Sequence, residues 1–344
     1  MHGLNEKFYF PEEYAMEAEL FFRAYEVESW ASCPSEKIRK ADRVPKVERM
    51  CRFCGKPYGE VTFNSEPHVF PELLGNKFLV SDSECDTCNF IFGKYEDQLS
   101  KYLGMSRTMM LTKGKEKMPT FKDSTIRVES RRAADGGGEV AAKRPFGSAS
   151  FIYDQVTGLF TLKGKKQPYI AYSVYKAFAK MAFSCLHEEF TPEYRLGLEF
   201  IRGTAFEEEG RAFAHILRYK FPYTYGFERP TGYIFRARYP DMDVFSRVFM
   251  LFTLNTIYIM AVPFGLNDIA VPDRELSLPH PPPLFDRAYH FPTDEIRKER
   301  LDFSSSTVVE NEEDSFSINL APGEKIAAIF HHPETGEVFQ GKWM

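Results

Sequence analysis

Apolar positions change their spacing several times along the chain, and each change marks an element. From Pro11 to Glu28 (PEEYAMEAELFFRAYEVE) the composition is helical, with acids in the first turn where the helix dipole favours them. Tyr14, Leu20, Phe21 and Tyr25 would give that helix a docking face. VTFNSEPHVF has strand composition, and PELLGNKFLVS leads through a loop toward a second strand. Glu84 to Leu103 reads as a helix, because Phe92, Tyr95 and Leu99 fall at i, i+3 and i+7 and Gly104 supplies a stop. Thr120 to Ser130 alternates at period two, and SFIYDQVTGLFTLK reads as a hairpin turning near Thr157-Gly158. Helical spacing returns from Pro168 to Glu188 and from Pro192 to Arg202. The longest apolar run, VFMLFTLNTIYIMAVP, is broken by Thr253, Asn255 and Thr256. It is short for a membrane span and reads as two buried strands around Asn255. A last hairpin is expected at Glu334-Thr335-Gly336.

These elements group into four segments. Residues 1–45 read as an N-terminal helical extension that ends in a polar linker, Pro34 to Val44. Residues 46–104 read as a compact module of ribbon, strand, loop, strand and helix. Residues 105–278 read as a larger mixed α+β domain with a flexible loop at Asp135 to Gly138. Residues 279–344 read as a stiff Pro-rich linker (PHPPP) and an acidic tail, of which Ser304 to Asp314 is expected to be disordered. The fold class is therefore α+β, a small module followed by a larger domain.

Composition adds two things. Aromatic content is 15%, with 33 Phe, so the cores should be built from rings. The net charge of −5 hides a polarity: Met105 to Ile170 carries 13 Lys/Arg against 6 Asp/Glu, and Arg300 to the end carries 3 against 8. A basic middle suits an anionic partner, and scattered solvated faces would give the same count. Met1 is followed by polar and acidic residues without a signal-peptide pattern, so a reducing, cytoplasmic setting without membrane contact is expected.

In such a setting, paired cysteines mean metal more often than disulfide. CRFC holds Cys51 and Cys54, and CDTC holds Cys85 and Cys88. Each CxxC lets two thiolates grip one ion from a tight knuckle, and Gly55 suits that turn. Two knuckles make a closed four-sulfur site, which fits structural zinc. An iron–sulfur cluster has the same spacing. The thirty residues between the knuckles leave room for more.

That insert contains Glu66, His68, Asn76, Asp82 and Glu84, and Asn89 follows the second knuckle directly. The ordered set CxxCG, an acid near a His, V-x-P-x-x-L-G-N and CxxCN-x-x-FG resembles the HNH endonucleases, nucleases of the ββα-metal fold. The likeness is nearest to the bacterial branch in which a four-cysteine zinc knot clasps the fold. It covers roughly residues 50–104. More faintly, VYKAFAKMAFSCL resembles a helix that often follows this module. The resemblance implies that His68 is the general base activating water, and a histidine titrates in the range such a base needs. It implies that Asn76 orders the loop and helps orient His68. It implies that Asn89 is a ligand of a catalytic Mg2+ or Mn2+, which prefers oxygen donors and differs chemically from the thiolate-bound Zn2+. The family commonly carries a ligand immediately before the base; here that neighbour is Pro67, and the acid is Glu66. On a regular strand, residues 66 and 68 share a face, so Glu66 is expected as a ligand or as a residue that orients one.

The reading is a metal-dependent endonuclease that hydrolyses phosphodiester bonds in DNA, with RNA as a further substrate class and a homodimer compatible with the family. The basic strip, including Arg131, Arg132, Lys143, Arg144 and Lys163 to Lys166, would track the backbone. The alternative is a non-catalytic zinc module that binds nucleic acid or protein. Pro67 and the near-neutral charge of residues 46–104 favour it slightly.

Overall fold

A computed structural model describes residues 8–37, 43–114, 118–132, 138–143, 150–154, 159–203, 205–222, 225–239, 242–269, 278, 281–285, 293–319, 327–331 and 338–342. The chain mixes helix and strand, with the small cysteine-bearing module ahead of a larger sheet-rich region. It divides into two compact units, residues 1–99 with 170–307 and residues 100–169 with 308–344.

The first unit is built on a six-stranded antiparallel sheet. Its strands are β1 (Tyr25–Ser32), β2 (His215–Lys220), β3 (Thr231–Ala237), β4 (Arg247–Thr253), β5 (Thr256–Ala261) and β6 (Arg297–Asp302), in the order β1-β3-β4-β5-β2-β6. The apolar run forms β4 and β5, paired from Val248↔Ala261 to Thr253↔Thr256. The turn between them is fixed by Asn255, whose buried Nδ2 donates to the Phe221 carbonyl at 2.7 Å. Alternate residues of these strands face opposite ways. Val248, Met250, Phe252, Ile257 and Ile259 pack in one core with Phe235, Tyr219, Phe285 and Phe21 of helix α1 (Ala15–Ala24). Tyr258, between two of them, meets Phe178 with ring centroids 4.7 Å apart. With both faces covered, the middle strands lose the polar alternation of a half-solvated sheet.

The N-terminal segment expected as helical holds a helix only to Ala24. Tyr25–Ser32 is strand, paired with β3 from Tyr25↔Ala237 to Ser32↔Thr231. The stretch read as a linker is fixed at its end, where Arg43 meets Asp82 (2.6 Å) and Glu66 (2.9 Å).

Two further helices matter for the site: α2 (Asp86–Leu103) and α3 (Ala171–Cys185). The two strands expected ahead of α2 shrink to one antiparallel bridge, His68↔Val80, flanked by Val69 N–H to Leu79 O (3.1 Å) and Ser81 N–H to Pro67 O (2.8 Å). Pro67 and Pro71 lack the N–H that a longer ladder needs.

In the second unit, Phe121–Lys122 turns back at Asp123 onto Arg127–Arg132, which pairs with Gly138–Lys143. The expected strand from Thr120 to Ser130 is thus a hairpin. Asp123 Oδ1 accepts the N–H groups of Thr125 and Ile126 and makes the turn. Phe151–Asp154 and Leu159–Lys165 pair as expected, and Glu313–Asn319 joins Leu159–Lys165 on its other edge. The acidic segment read as disordered therefore ends in a sheet strand, and its Ser304 carbonyl accepts from Arg211. Ala327–His331 pairs with Val338–Lys342. The turns expected at Thr157-Gly158 and Glu334-Thr335-Gly336, the loop residues Asp135 to Gly137, Arg144 and the start of the Pro-rich linker lie outside the described residues. No helix among the described residues is long and apolar enough to cross a membrane.

Candidate active site and metal centre

The four cysteines converge. Cys51 and Cys54 stand on a tight turn closed by Gly55 N–H to Cys51 O (2.8 Å), with Gly55 at φ +69°, where a glycine is favoured. Cys85 and Cys88 stand at the start of α2. Their sulfurs lie within 4.8 Å of one another, with Cys51–Cys88 at 3.7 Å and Cys54–Cys85 at 3.8 Å. A tetrahedron of zinc–sulfur bonds of about 2.3 Å has edges of about 3.8 Å, so the cluster fits a structural zinc. The hydrogen bond between Cys51 and Cys88 holds the Cys51 thiol below its usual range and raises Cys88, which burial raises further, and burial raises Cys85. A cation is what lets all four sulfurs carry charge together.

Two polar clamps hold the knot in the fold. Arg52, inside the first knuckle, donates from one guanidinium nitrogen to the carbonyls of Phe183 (2.6 Å), Ser184 (3.3 Å) and Leu186 (2.7 Å) at the end of α3. Those carbonyls have no partner within their own helix, and a cation suits them. Asp86, inside the second knuckle, accepts from the Thr62 hydroxyl, the Asn64 and Ser65 N–H groups and the Ser65 hydroxyl. Burial would raise its carboxyl, but these bonds outweigh it and hold the group well below the usual range.

His68 sits in the bridge between the knuckles, with its side chain 17% exposed. Its Nε2 lies 3.6 Å from Glu72 Oε1, on the turn Glu72–Leu74 that follows. Its backbone carbonyl accepts from the Lys180 ammonium, which descends from α3 and also pairs with Glu84 Oε2 at 3.1 Å. Lys180 and Glu84 are 2% and 0% exposed at their side chains. Burial pushes the Glu84 carboxyl up to about 7, against the pull of Lys180. Glu96 of α2 is raised by burial too, with Lys180 lowering and Glu72 raising it. One base and three acids thus interact around the His68 peptide.

The other expected site residues have these surroundings. Asn76 is fully buried, and its amide closes the loop: Nδ2 donates to Phe70 O (2.7 Å) and Leu79 O (2.8 Å), and Oδ1 accepts from the Phe78 and Leu79 N–H groups. That loop joins the two halves of the His68↔Val80 bridge. Asn89 is half-buried on the first turn of α2, next to Cys88. Glu66 is 45% exposed at its side chain and is held by Arg43 (2.9 Å) and Lys37 (3.3 Å). Among the described residues the cysteines are the one group of three or more His, Cys, Asp or Glu side chains close enough to share an ion.

In the basic strip, Lys163 pairs with Glu313 (3.1 Å) and Lys166 with Glu312 (2.8 Å). The acidic segment expected to be disordered thus meets the charge expected to track a nucleic-acid backbone.

Sequence reasoning missed Glu72, Lys180 and Arg52. Lys180 leaves one trace, since it and Lys176 are the two charges in a helix whose other residues are mostly apolar, and its neighbours Ala179 and Met181 are fully buried. Glu72 leaves another, as an acid four positions after His68.

Neither a curated protein nor a solved structure matches the chain. Residues 51–103, from the first knuckle to the last turn of α2, match the HNH endonuclease family, and the four-cysteine cluster within them fits a zinc knot.

Proposed function

We propose that the protein is a metal-dependent HNH endonuclease that hydrolyses phosphodiester bonds in DNA. The observation that carries this reading is the placement of His68. It lies inside the segment that matches the family, on a bridge clamped between two zinc knuckles, with a carboxylate beside its ring. In the step, a water oxygen attacks phosphorus while His68 takes the water proton. The bond from phosphorus to the leaving sugar oxygen breaks, and that oxygen takes a proton from solvent. Glu72 places a negative charge next to the ring that becomes cationic. Asn76 holds the loop, and so the ring's backbone, in register.

A divalent ion, Mg2+ or Mn2+, would supply charge for the phosphate and the leaving oxygen. Asn89 offers an amide oxygen to it. Glu66 offers a carboxylate that must exchange from Arg43 and Lys37. Water and substrate phosphate commonly complete the shell of such an ion.

The test uses supercoiled plasmid, linear DNA and RNA with Mg2+, Mn2+ or chelator, comparing parent and His68→Ala. Metal-dependent cleavage by the parent alone is expected. No cleavage above the His68→Ala background on any substrate overturns the reading. A second reading, a non-catalytic zinc module that binds nucleic acid or protein, is favoured by the ion pairs that occupy Glu66. It predicts retained binding without cleavage, in parent and variant alike.

A further inference from the structure

We propose that Lys180, outside the segment that matches the family, is a positioning residue for His68 and completes the active site from α3. The inference rests on the endonuclease reading above. A buried ammonium is costly unless it is paired and hydrogen-bonded, and Lys180 is both. Its side chain is 2% exposed, it donates to the His68 carbonyl, and it faces the Glu84 carboxylate at 3.1 Å. Glu84 adjoins Cys85, a ligand of the zinc knot. One ammonium therefore ties the backbone of the candidate base to the second knuckle.

Packing alone does not ask for a charge here. Phe178, Ala179, Met181 and Ala182, its neighbours along α3, are fully buried, so α3 is a core helix at this point. Buried ion pairs are often replaceable by apolar residues without loss of stability, and in some proteins their use is to fix one arrangement. What Lys180 fixes is the peptide that carries the imidazole. Its burial keeps it from substrate phosphate, so it acts through His68 and is not itself catalytic.

The test is Lys180→Met, Lys180→Arg and the double variant Lys180→Met/Glu84→Gln, which leaves no unpaired buried charge if the single variant misfolds. Zinc content, thermal midpoint, DNA binding, cleavage kinetics and amide exchange at Val69 and Ser81 are measured in the full chain. Expected for the Met variants are full zinc, binding within about 2-fold, and a kcat lower by about 100-fold. Exchange at Val69 and Ser81 should be faster, and Lys180→Arg should restore both readouts in part. Parent-like kcat and exchange in a folded, zinc-loaded Met variant overturn the proposal. So does an arginine variant as impaired as the methionine one. If the parent itself does not cleave, the endonuclease reading fails, and the exchange rates alone decide whether Lys180 holds the His68 backbone.

Discussion

Arg52 donates to the Leu186 carbonyl at 2.7 Å, so a residue of the first zinc knuckle caps the end of a helix more than a hundred positions away in sequence. The same nitrogen reaches Phe183 and Ser184, and the guanidinium is largely buried. Arg52→Ala should cost about 2–4 kcal/mol, because three carbonyls lose a charged donor. Zinc per chain should stay at the parent value, since no sulfur is touched. Thermal unfolding with parallel metal analysis checks both, and loss of zinc in the variant would contradict this separation of roles.

Cys85→Ser should bring bound zinc well below one per chain. Serine is a poor zinc ligand, and the remaining sulfurs leave the tetrahedron open. Chelation of the parent at neutral pH should likewise expose the Cys51–Gly55 turn, read as rapid exchange of the Gly55 amide. Full zinc retention in Cys85→Ser would break the four-thiolate assignment.

Asn76→Ala should destabilise the fold by about 2–4 kcal/mol, since two N–H groups and the Phe70 carbonyl of a buried loop lose their partner and the Leu79 carbonyl loses one of two donors. Asn76→Asp should fail as well, because it keeps the acceptor, loses both donors and buries a charge. Faster exchange at Phe78 and Leu79 is the specific sign. Parent-like exchange there would show the loop to be held by other contacts.

Glu96 gives a pH dependence with a definite sign. Burial raises its folded-state carboxyl above the unfolded value. Below about pH 4.3 the group is neutral in both states and costs nothing; as pH rises through the folded value, folding must also bury its charge. Glu96→Gln removes that cost while Lys180 keeps Glu84. The variant should match the parent near pH 4 and melt higher than the parent near pH 8. Equal midpoints at both pH values would remove the buried-carboxylate interpretation.

Short-range chemistry was legible in the sequence. The CxxC pairs, the helix of Phe92, Tyr95 and Leu99, and the two strands around Asn255 all follow from spacing over a few residues, and the structure has them. His68 could be singled out because its neighbours match a family in order. What the spacing could not give was the surroundings of that histidine. Lys180 and His68 are 112 positions apart, and no periodicity links them. The prolines beside His68 were visible, but the reduction of two strands to one bridge depends on which N–H groups the ladder needs. Tyr25–Glu28 reads as a continuation of the preceding helix because aromatic and acidic residues continue across the boundary, and only pairing with β3 makes Tyr25–Ser32 strand. The lysines of residues 163–166 gave no sign that Glu312 and Glu313 would meet them.

The strand order of the six-stranded sheet has a consequence for a chain made from one end. Tyr25 pairs with Ala237, 212 positions later (237 − 25). At about 5–20 residues per second, β1 waits roughly 10–40 seconds for its partner to be synthesised. During that wait its backbone donors and acceptors and the ring of Tyr25, fully buried in the finished fold, are uncovered. The nascent chain is then most open to pairing with the wrong strand, and conditions that slow translation should lower the soluble yield more than they would for a sheet of neighbouring hairpins.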